Sequence, residues 1–203
     1  MFAPDNRTAL LLIDVQRAFD DPKWGPRNNT DAEANIARLL ATWRAVAAPV
    51  AHVFHDSRTP GSPLHPASPG NAPKPEAMPR AGEPQFRKNV NSGFIGTSLE
   101  AYLRGQGIER LVVVGLTTNH CVSTTVRMAS NLGFITAIVS DATATFDRKA
   151  VDGRHRSAEE VQDAALSDLN EEFATVVTTD QLAGVPQEVA HLPLFKTNGC
   201  FRV

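Results

Sequence analysis

Apolar residues in this chain fall into short continuous runs, separated by stretches in which they recur every three to four positions. Thr8 to Ile13 (Thr-Ala-Leu-Leu-Leu-Ile), Val50 to Phe54, Leu111 to Val114 and Phe134 to Val139 are too short for helices and show no alternation. That is the pattern of strands buried on both faces. Gln85 to Lys88 and Ala174 to Thr178 read as two further strands. Between them lie helical periods. Thr30 to Ala47 carries Ile36, Leu39, Leu40, Trp43 and Val46 on one stripe, which makes Trp43 a core residue. Thr30 with Glu33 predicts a capping box at its start, and Pro49 stops it. Thr97 with Glu100 is expected to cap a helix through Arg104, ended by Gly105 and Gly107. A third helix runs from Cys121 to Leu132, and a fourth, capped by Ser157 with Glu160, carries Val161, Ala164, Ala165, Leu169 and Phe173. The order β-α-β-β-α-β-α-β-α-β implies an α/β fold. Its six-stranded, mostly parallel sheet would be covered on both faces by right-handed crossovers.

Two segments break this rhythm. Ser57 to Pro84 holds eight prolines and almost no periodicity. Fixed φ angles make such a stretch stiff, and long irregular connections in compact domains tend to be lids or binding arms. Residues 57–84 are expected to wrap the surface beside the functional site. Residues 184–203 have no clear period, yet Leu192, Leu194, Phe195 and Phe201 need cover from water. They are expected to form a C-terminal arm that packs on the body or on a second subunit, leaving residues 1–183 as one domain.

The chain has 203 residues, 42% of them hydrophobic and 21% charged, enough for a core without metal or disulfide staples. A net charge of −2 offers no basic field for nucleic acid or anionic membrane. No apolar run approaches the roughly 18 residues of a membrane span, and Met1-Phe2-Ala3-Pro4 does not open a signal peptide. Cys121 and Cys200 lie far apart. The expectation is a cytoplasmic protein with free thiols, and neither a nucleic-acid partner nor a membrane one.

Candidate chemistry sits where strands end. Asp14 follows the first strand, Lys88 ends the third, and Cys121 follows the fourth after Gly115 and the polar cluster Thr117-Thr118-Asn119-His120. In a parallel sheet all carboxyl ends share one edge, where α/β folds build ligand sites. Each residue alone has a plain structural reading: a turn aspartate, a surface lysine, a buried small thiol. Together they supply a base, a cation and a nucleophile, the set that thiol-based acyl transfer requires. A cysteine at a helix amino terminus beside Lys88 is expected to have a lowered pKa. Cys200 has no polar constellation around it and is taken as a bystander.

Three stretches carry a resemblance: Leu-Leu-Ile-Asp14-Val-Gln16-Arg-Ala-Phe19, Arg-Lys88-Asn-Val-Asn-Ser-Gly-Phe94 and Gly115-Leu-Thr-Thr-Asn-His-Cys121-Val, with Ser140-Asp141-Ala142 after the fifth strand. The chain resembles the isochorismatase-like cysteine hydrolases, which include nicotinamidases, N-carbamoylsarcosine amidases and ureidoacrylate amidohydrolases. The resemblance implies a Rossmann-like three-layer αβα fold and an Asp14-Lys88-Cys121 catalytic triad. It also implies a cis peptide between Leu116 and Thr117, and an oxyanion hole made by the Thr117 and Cys121 amides. The implied reaction is hydrolysis of a C–N bond in an amide, ureido group or lactam of a small molecule, through a Cys121 thioester. No cofactor is implied, and a homo-oligomer is expected.

Nicotinamidases carry an Asp-x-His pair and a further histidine for a metal. Here the corresponding place reads His55-Asp56-Ser57-Arg58, with His65 the nearby histidine, so no metal is expected. This stretch, with Ser62-Pro63-Leu64 and Pro69-Gly70, looks more like a subgroup that includes streptothricin hydrolases. By position Gln16, Phe19, Trp24, His55 and Phe146 are candidate pocket liners, with ordinary packing the alternative for each. His120 is expected to face away from the sulfur. Two other readings stand beside the amidohydrolase: vinyl-ether cleavage of the isochorismatase type, and a scaffold that keeps the fold without turnover.

Overall fold

The strongest apolar run, β1 (Thr8–Ile13), lies at the centre of the structure, a computed structural model that describes residues 2–184. The C-terminal arm, including Cys200, lies outside the described residues. The remaining elements are α1 (Ala32–Ala45), β2 (Val50–His55), β3 (Gln85–Lys88), α2 (Leu99–Gly105), β4 (Arg110–Leu116), α3 (Ser123–Asn131), β5 (Ile135–Ala144), β6 (Arg148–Lys149), β7 (His155–Arg156), α4 (Ala158–Ser167), β8 (Thr175–Val177) and α5 (Thr179–Ala183). The six-stranded sheet has the order β3-β2-β1-β4-β5-β8 and every pair in it is parallel. The expected three-layer αβα architecture is therefore what forms. Among the described residues, no helix is long and apolar enough to cross a membrane.

Continuous apolar runs are needed because both faces of the sheet are covered. Leu11, Ile13, Leu111 and Val113 face one cluster, closed by Leu99 and Leu103 of α2 and Val126 and Ala129 of α3. Leu10, Leu12, Val112 and Val114 face the other, closed by Ile36, Leu39, Leu40 and Trp43 of α1. Trp43 is fully buried, and its indole Nε1 donates to the Thr8 carbonyl at 3.0 Å, so it belongs to the core as the spacing required.

Several boundaries differ from the sequence reading, each for a tertiary reason. Thr30 and Glu33 form no capping box: α1 starts at Ala32 after Asp31, and the Glu33 carboxylate is drawn to Arg27 and Lys74, each at 2.8 Å. Thr97 and Glu100 form none either. The Thr97 hydroxyl accepts from the Leu99 amide at 3.3 Å and donates to the Gly93 carbonyl at 2.6 Å, while Glu100 pairs with Arg104. The Ser157–Glu160 box does form, and a second, Thr178 with Gln181, opens α5. The fourth helix stops at Ser167, short of Leu169 and Phe173.

Gly115 does not interrupt β4, which continues to Leu116. At φ 124° this glycine brings β4 so close to β1 that a Cβ would lie 2.0 Å from the Ile13 carbonyl oxygen. The register of β4 against β5 shifts between Val113 and Gly115, and β5 runs on to Ala144. Beyond it β6 and β7 form a small antiparallel ribbon that the sequence did not announce.

Residues 57–84 form an ordered strap. Two short 3-10 turns, Pro69–Asn71 and Pro75–Ala77, punctuate it. Asn71 is buried and its amide donates to the carbonyls of His55 (3.0 Å) and Leu64 (2.8 Å). Lys74 is buried against Asp20 and Glu33. At the far end Glu83 takes Arg44 at 2.7 Å and His52 at 2.8 Å. These contacts tie the strap to β2 and α1.

Gly115→Ala is expected to cost about 3 kcal/mol or more of folding stability, whereas Gly105→Ala, with open space around its Cβ, is expected to be close to neutral; urea unfolding of both variants checks this. The guanidinium of Arg44 and neighbouring donors hold the Glu83 carboxyl down at about 2, below its ordinary 4.5. A depressed folded-state pKa stabilises fully above the unfolded value and stops doing so as pH falls through the folded one. Glu83→Gln is therefore expected to destabilise at pH 7, and the gap to the wild type is expected to shrink as the pH falls from 5 towards 2 in the same unfolding assay.

Candidate active site

Strand register and the turns that follow β1 and β4 bring Asp14, His55, Lys88 and Cys121 to one edge of the sheet. His55 lies beside Lys88, so β2 and β3 end level, and Ile13 lies beside Val53, so the chain just beyond β1 runs alongside the last residues of β2. Asp14 is the first residue beyond β1 and turns sharply there, at φ 51°. Its amide still donates to the Val53 carbonyl at 2.8 Å. A left-handed conformation costs a non-glycine residue about 1 kcal/mol, and aspartate tolerates it better than most. The turn keeps the carboxylate at the strand end. Cys121 arrives from the neighbouring strand β4, through a Leu116–Thr117 peptide that is cis and a tight turn over Thr118–Val122. In that turn the Thr117 carbonyl accepts from the amides of both His120 (3.0 Å) and Val122 (3.3 Å).

The three residues named from the sequence do meet. Lys88 Nζ donates to Asp14 Oδ2 at 2.7 Å, and both side chains are fully buried. Donor atoms of Asp14, His55 and Cys121 all lie within 4.8 Å of one another. Lys88 Nζ also stands 3.0 Å from His55 Nδ1, which places His55 in the cluster itself. Asp14 Oδ1 is buried without a hydrogen-bond partner among the described residues. Cys121 is 9% exposed, and its sulfur lies 3.9 Å from Asn91 Oδ1. Asn91 belongs to the quoted Lys88-Asn-Val-Asn-Ser stretch but was not singled out, because a loop amide has no spacing signature of its own.

The electrostatics correct one expectation. The Cys121 thiol is pushed up to about 12, not down. Burial is the main cause and the Asp14 charge adds to it, outweighing the opposing pull of Lys88. The turn holding Cys121 is a wide one preceding α3, not the first turn of a regular helix. Burial also raises the Asp14 carboxyl, with the Lys88 ammonium as the chief opposing influence. His55 is pushed down by burial and then by Lys88. A neutral His55 accepts the ammonium at Nδ1 and so carries its proton on Nε2. The resting cluster is a buried ammonium–carboxylate pair flanked by a neutral imidazole and a thiol.

Asp14, His55 and Cys121 are a donor set that could hold a metal ion. The Lys88 ammonium is already at 2.7 Å from one of them and 3.0 Å from another, so the centre of the set carries a positive charge. His65 is apart, its Nδ1 accepting from the Ala67 amide within the strap.

The other residues read as pocket liners divide into two groups. Gln16 is fully buried. Its Nε2 donates to the carbonyls of Asn71 (2.9 Å) and His55 (3.1 Å), and its Oε1 accepts from the His55 amide at 2.9 Å. It pins the strap to β2 and aims His55. Phe19, Trp24 and Phe146 form one aromatic cluster with centroids 5.5–6.3 Å apart, packed on Leu116 and Ala144 with Leu64 of the strap. Leu116 immediately precedes Thr117, so this cluster backs the turn that carries the sulfur. His120 is exposed and contacts Arg148.

Known proteins resemble this chain over nearly all of its length. The isochorismatase domain matches residues 8–181. The isochorismatase family protein YrdC of Bacillus subtilis is 46% identical over 178 residues, covering 88% of this chain and 95% of its own. A streptothricin hydrolase of Streptomyces noursei is 31% identical over 185 residues, 90% of this chain and 63% of the relative. The crystal structure of an isochorismatase-family protein from Chromobacterium violaceum superposes with a TM-score of 0.86 at 46% identity, covering 91% of this chain and 97% of the other. With the sheet order and these matches in hand, the chain belongs to the isochorismatase family, whose members are hydrolases.

Proposed function

We propose that this protein hydrolyses a C–N bond of a small molecule, in an amide, ureido group or lactam, with Cys121 as nucleophile. The observation that carries this reading is the meeting of sulfur, carboxylate and ammonium at one buried strand edge, with the donor atoms of Asp14, His55 and Cys121 within 4.8 Å of one another and Lys88 Nζ 2.7 Å from Asp14. The resemblance to a ureidoacrylate amidohydrolase of Caulobacter segnis, 34% identical over 116 residues, supports C–N cleavage over other hydrolytic chemistry.

The steps follow from the charge states. Asp14 takes the Cys121 proton as the substrate carbonyl arrives, and the sulfur attacks the carbonyl carbon. The electron pair of the C=O bond moves to oxygen, facing the Thr117 and Cys121 amides. The C–N bond then breaks, with the proton passing from Asp14 to the departing nitrogen, so ammonia or an amine leaves neutral. Water attacks the thioester and gives its proton to Asp14, the C–S bond breaks, and that proton returns to the sulfur. The Lys88 ammonium is the chief influence opposing the upward push of burial on the Asp14 carboxyl, and neutral His55 holds that ammonium without adding charge. A thiol at about 12 is a poor resting nucleophile, so attack is coupled to proton transfer and not to a preformed thiolate.

A panel of primary amides, ureido acids and lactams, assayed for release of ammonia or amine with Cys121→Ala as the blank, tests the reading. Turnover on at least one compound, lost by about a thousandfold or more in Cys121→Ala, is expected; pyruvate release from isochorismate without any C–N cleavage would overturn it. Lys88→Met is expected to lose activity and also about 3–5 kcal/mol of stability, because it strands the buried Asp14 charge. Iodoacetamide should label Cys121 slowly at pH 7, with a rate that climbs about tenfold per pH unit up to pH 9. Asp14→Asn removes the charge that raises the thiol, so it should label faster at pH 7 while failing to turn over. Labelling that is fast and flat from pH 6 upward would mean a resting thiolate.

A further inference from the structure

The ribbon β6–β7, the turn before α3, and helices α3 and α4 enclose a cleft of about 800 Å3 that the proposed reaction does not use. Its walls carry five cations, Arg127, Arg148, Lys149, Arg154 and Arg156, against a single carboxylate, Asp168. The chain as a whole bears a net charge of −2, so this is a marked segregation of positive charge. A concave surface of one sign focuses its field and gathers counter-ions.

The ribbon offers a second, independent observation. Its register sets Arg148 directly opposite Arg156. Like charges facing each other across two strands are destabilising, and a two-stranded ribbon has little stability of its own to spare. Glu160 feels the Arg156 charge, but the nearby carboxylates make their closest contacts with other cations. Asp168 lies 3.7 Å from Arg127, Glu160 reaches Arg154 at 3.4 Å, and Asp147 holds His155 at 2.8 Å. Among the described residues, the Arg156 guanidinium donates to a main-chain carbonyl, that of Glu160, at 3.1 Å. Arg148 donates to His120 Nε2, which requires a neutral imidazole whose remaining N–H sits on Nδ1. Lys149 has no ion-pair partner among the described residues.

We propose that this cleft is a binding site for a multiply charged oxyanion, a phosphoryl group or a pair of carboxylates, held by Arg148, Arg154 and Arg156 with Lys149. Guanidinium groups suit such a ligand because their paired N–H donors match two oxygens at once. The floor, formed by Val161, Ala164 and Ala165, admits an apolar body behind the charged group. The site is distinct from the cysteine cluster: Asn119, His120 and Ser123 line the cleft, while Cys121 and Val122 of the same turn belong to the core on the other side.

Calorimetric titration with inorganic pyrophosphate and with citrate at low ionic strength tests this. Saturable one-site binding of at least one probe is expected, weakening as salt is added. The double variant Arg148→Ala, Arg154→Ala should bind about tenfold or more weakly, as loss of charge-assisted hydrogen bonds requires. Lys149→Glu should weaken binding in the same direction and guards against misfolding of the double variant. Arg38→Ala, an equal loss of exposed charge on α1, should leave binding unchanged, and Cys121→Ser should bind as the wild type does, whatever its activity. Pyrophosphate binding without citrate identifies a phosphoryl ligand, and citrate without pyrophosphate a polycarboxylate. No saturable binding of either probe, or equal affinity in the wild type and the double variant, would overturn the proposal.

Discussion

A buried ammonium–carboxylate pair, Lys88 with Asp14, sits at the carboxyl edge of the sheet, and the structure around it is arranged to make it tolerable. Taking two charges out of water costs several kcal/mol per ion, recovered only when the geometry is tight and further donors and acceptors are supplied. The pair meets both conditions. The contact is 2.7 Å, and His55 offers a neutral acceptor to the ammonium at 3.0 Å. Asp14 nonetheless keeps one oxygen without a hydrogen-bond partner among the described residues. In the reaction proposed above, that oxygen is the one open to a proton from sulfur.

The strap over residues 57–84 is best understood through that pair. Its prolines fix the path, and its polar side chains fix the ends: Asn71 on the His55 carbonyl, Lys74 on Glu33, Glu83 on Arg44 and His52. Gln16 closes the circuit by gripping the main chain of His55 and Asn71 together. Residues far apart in the chain thereby set the position of one imidazole, and the imidazole in turn steadies the ammonium. Rigid support of this kind is what a preorganised site requires.

Gly115 shows the same dependence in the backbone. Strands β1 and β4 approach so closely at their ends that no side chain fits between Gly115 and Ile13. That approach delivers the turn carrying Cys121 next to Asp14, one residue beyond Ile13. The aromatic cluster of Phe19, Trp24 and Phe146 packs behind Leu116 and fills the space beside that turn. The core and the site are thus continuous, and the sulfur itself counts among the buried residues of the core.

Much of this was legible in the chain. Unbroken runs such as Leu10-Leu11-Leu12-Ile13 can be satisfied only by cover on both faces, so strand identity and parallel topology follow from local composition. Parallel topology alone then sends Asp14, Lys88 and Cys121 to one edge. The helix starts were less legible, since Glu33 and Glu100 bond to distant or downstream arginines and lysines in preference to their own caps. Three things rested on tertiary structure alone: the direction in which the thiol titrates, the entry of His55 into the cluster, and the cationic cleft beside the ribbon. Each depends on how much water is excluded and which charges meet across long separations in sequence, and those quantities exist only once the chain has folded.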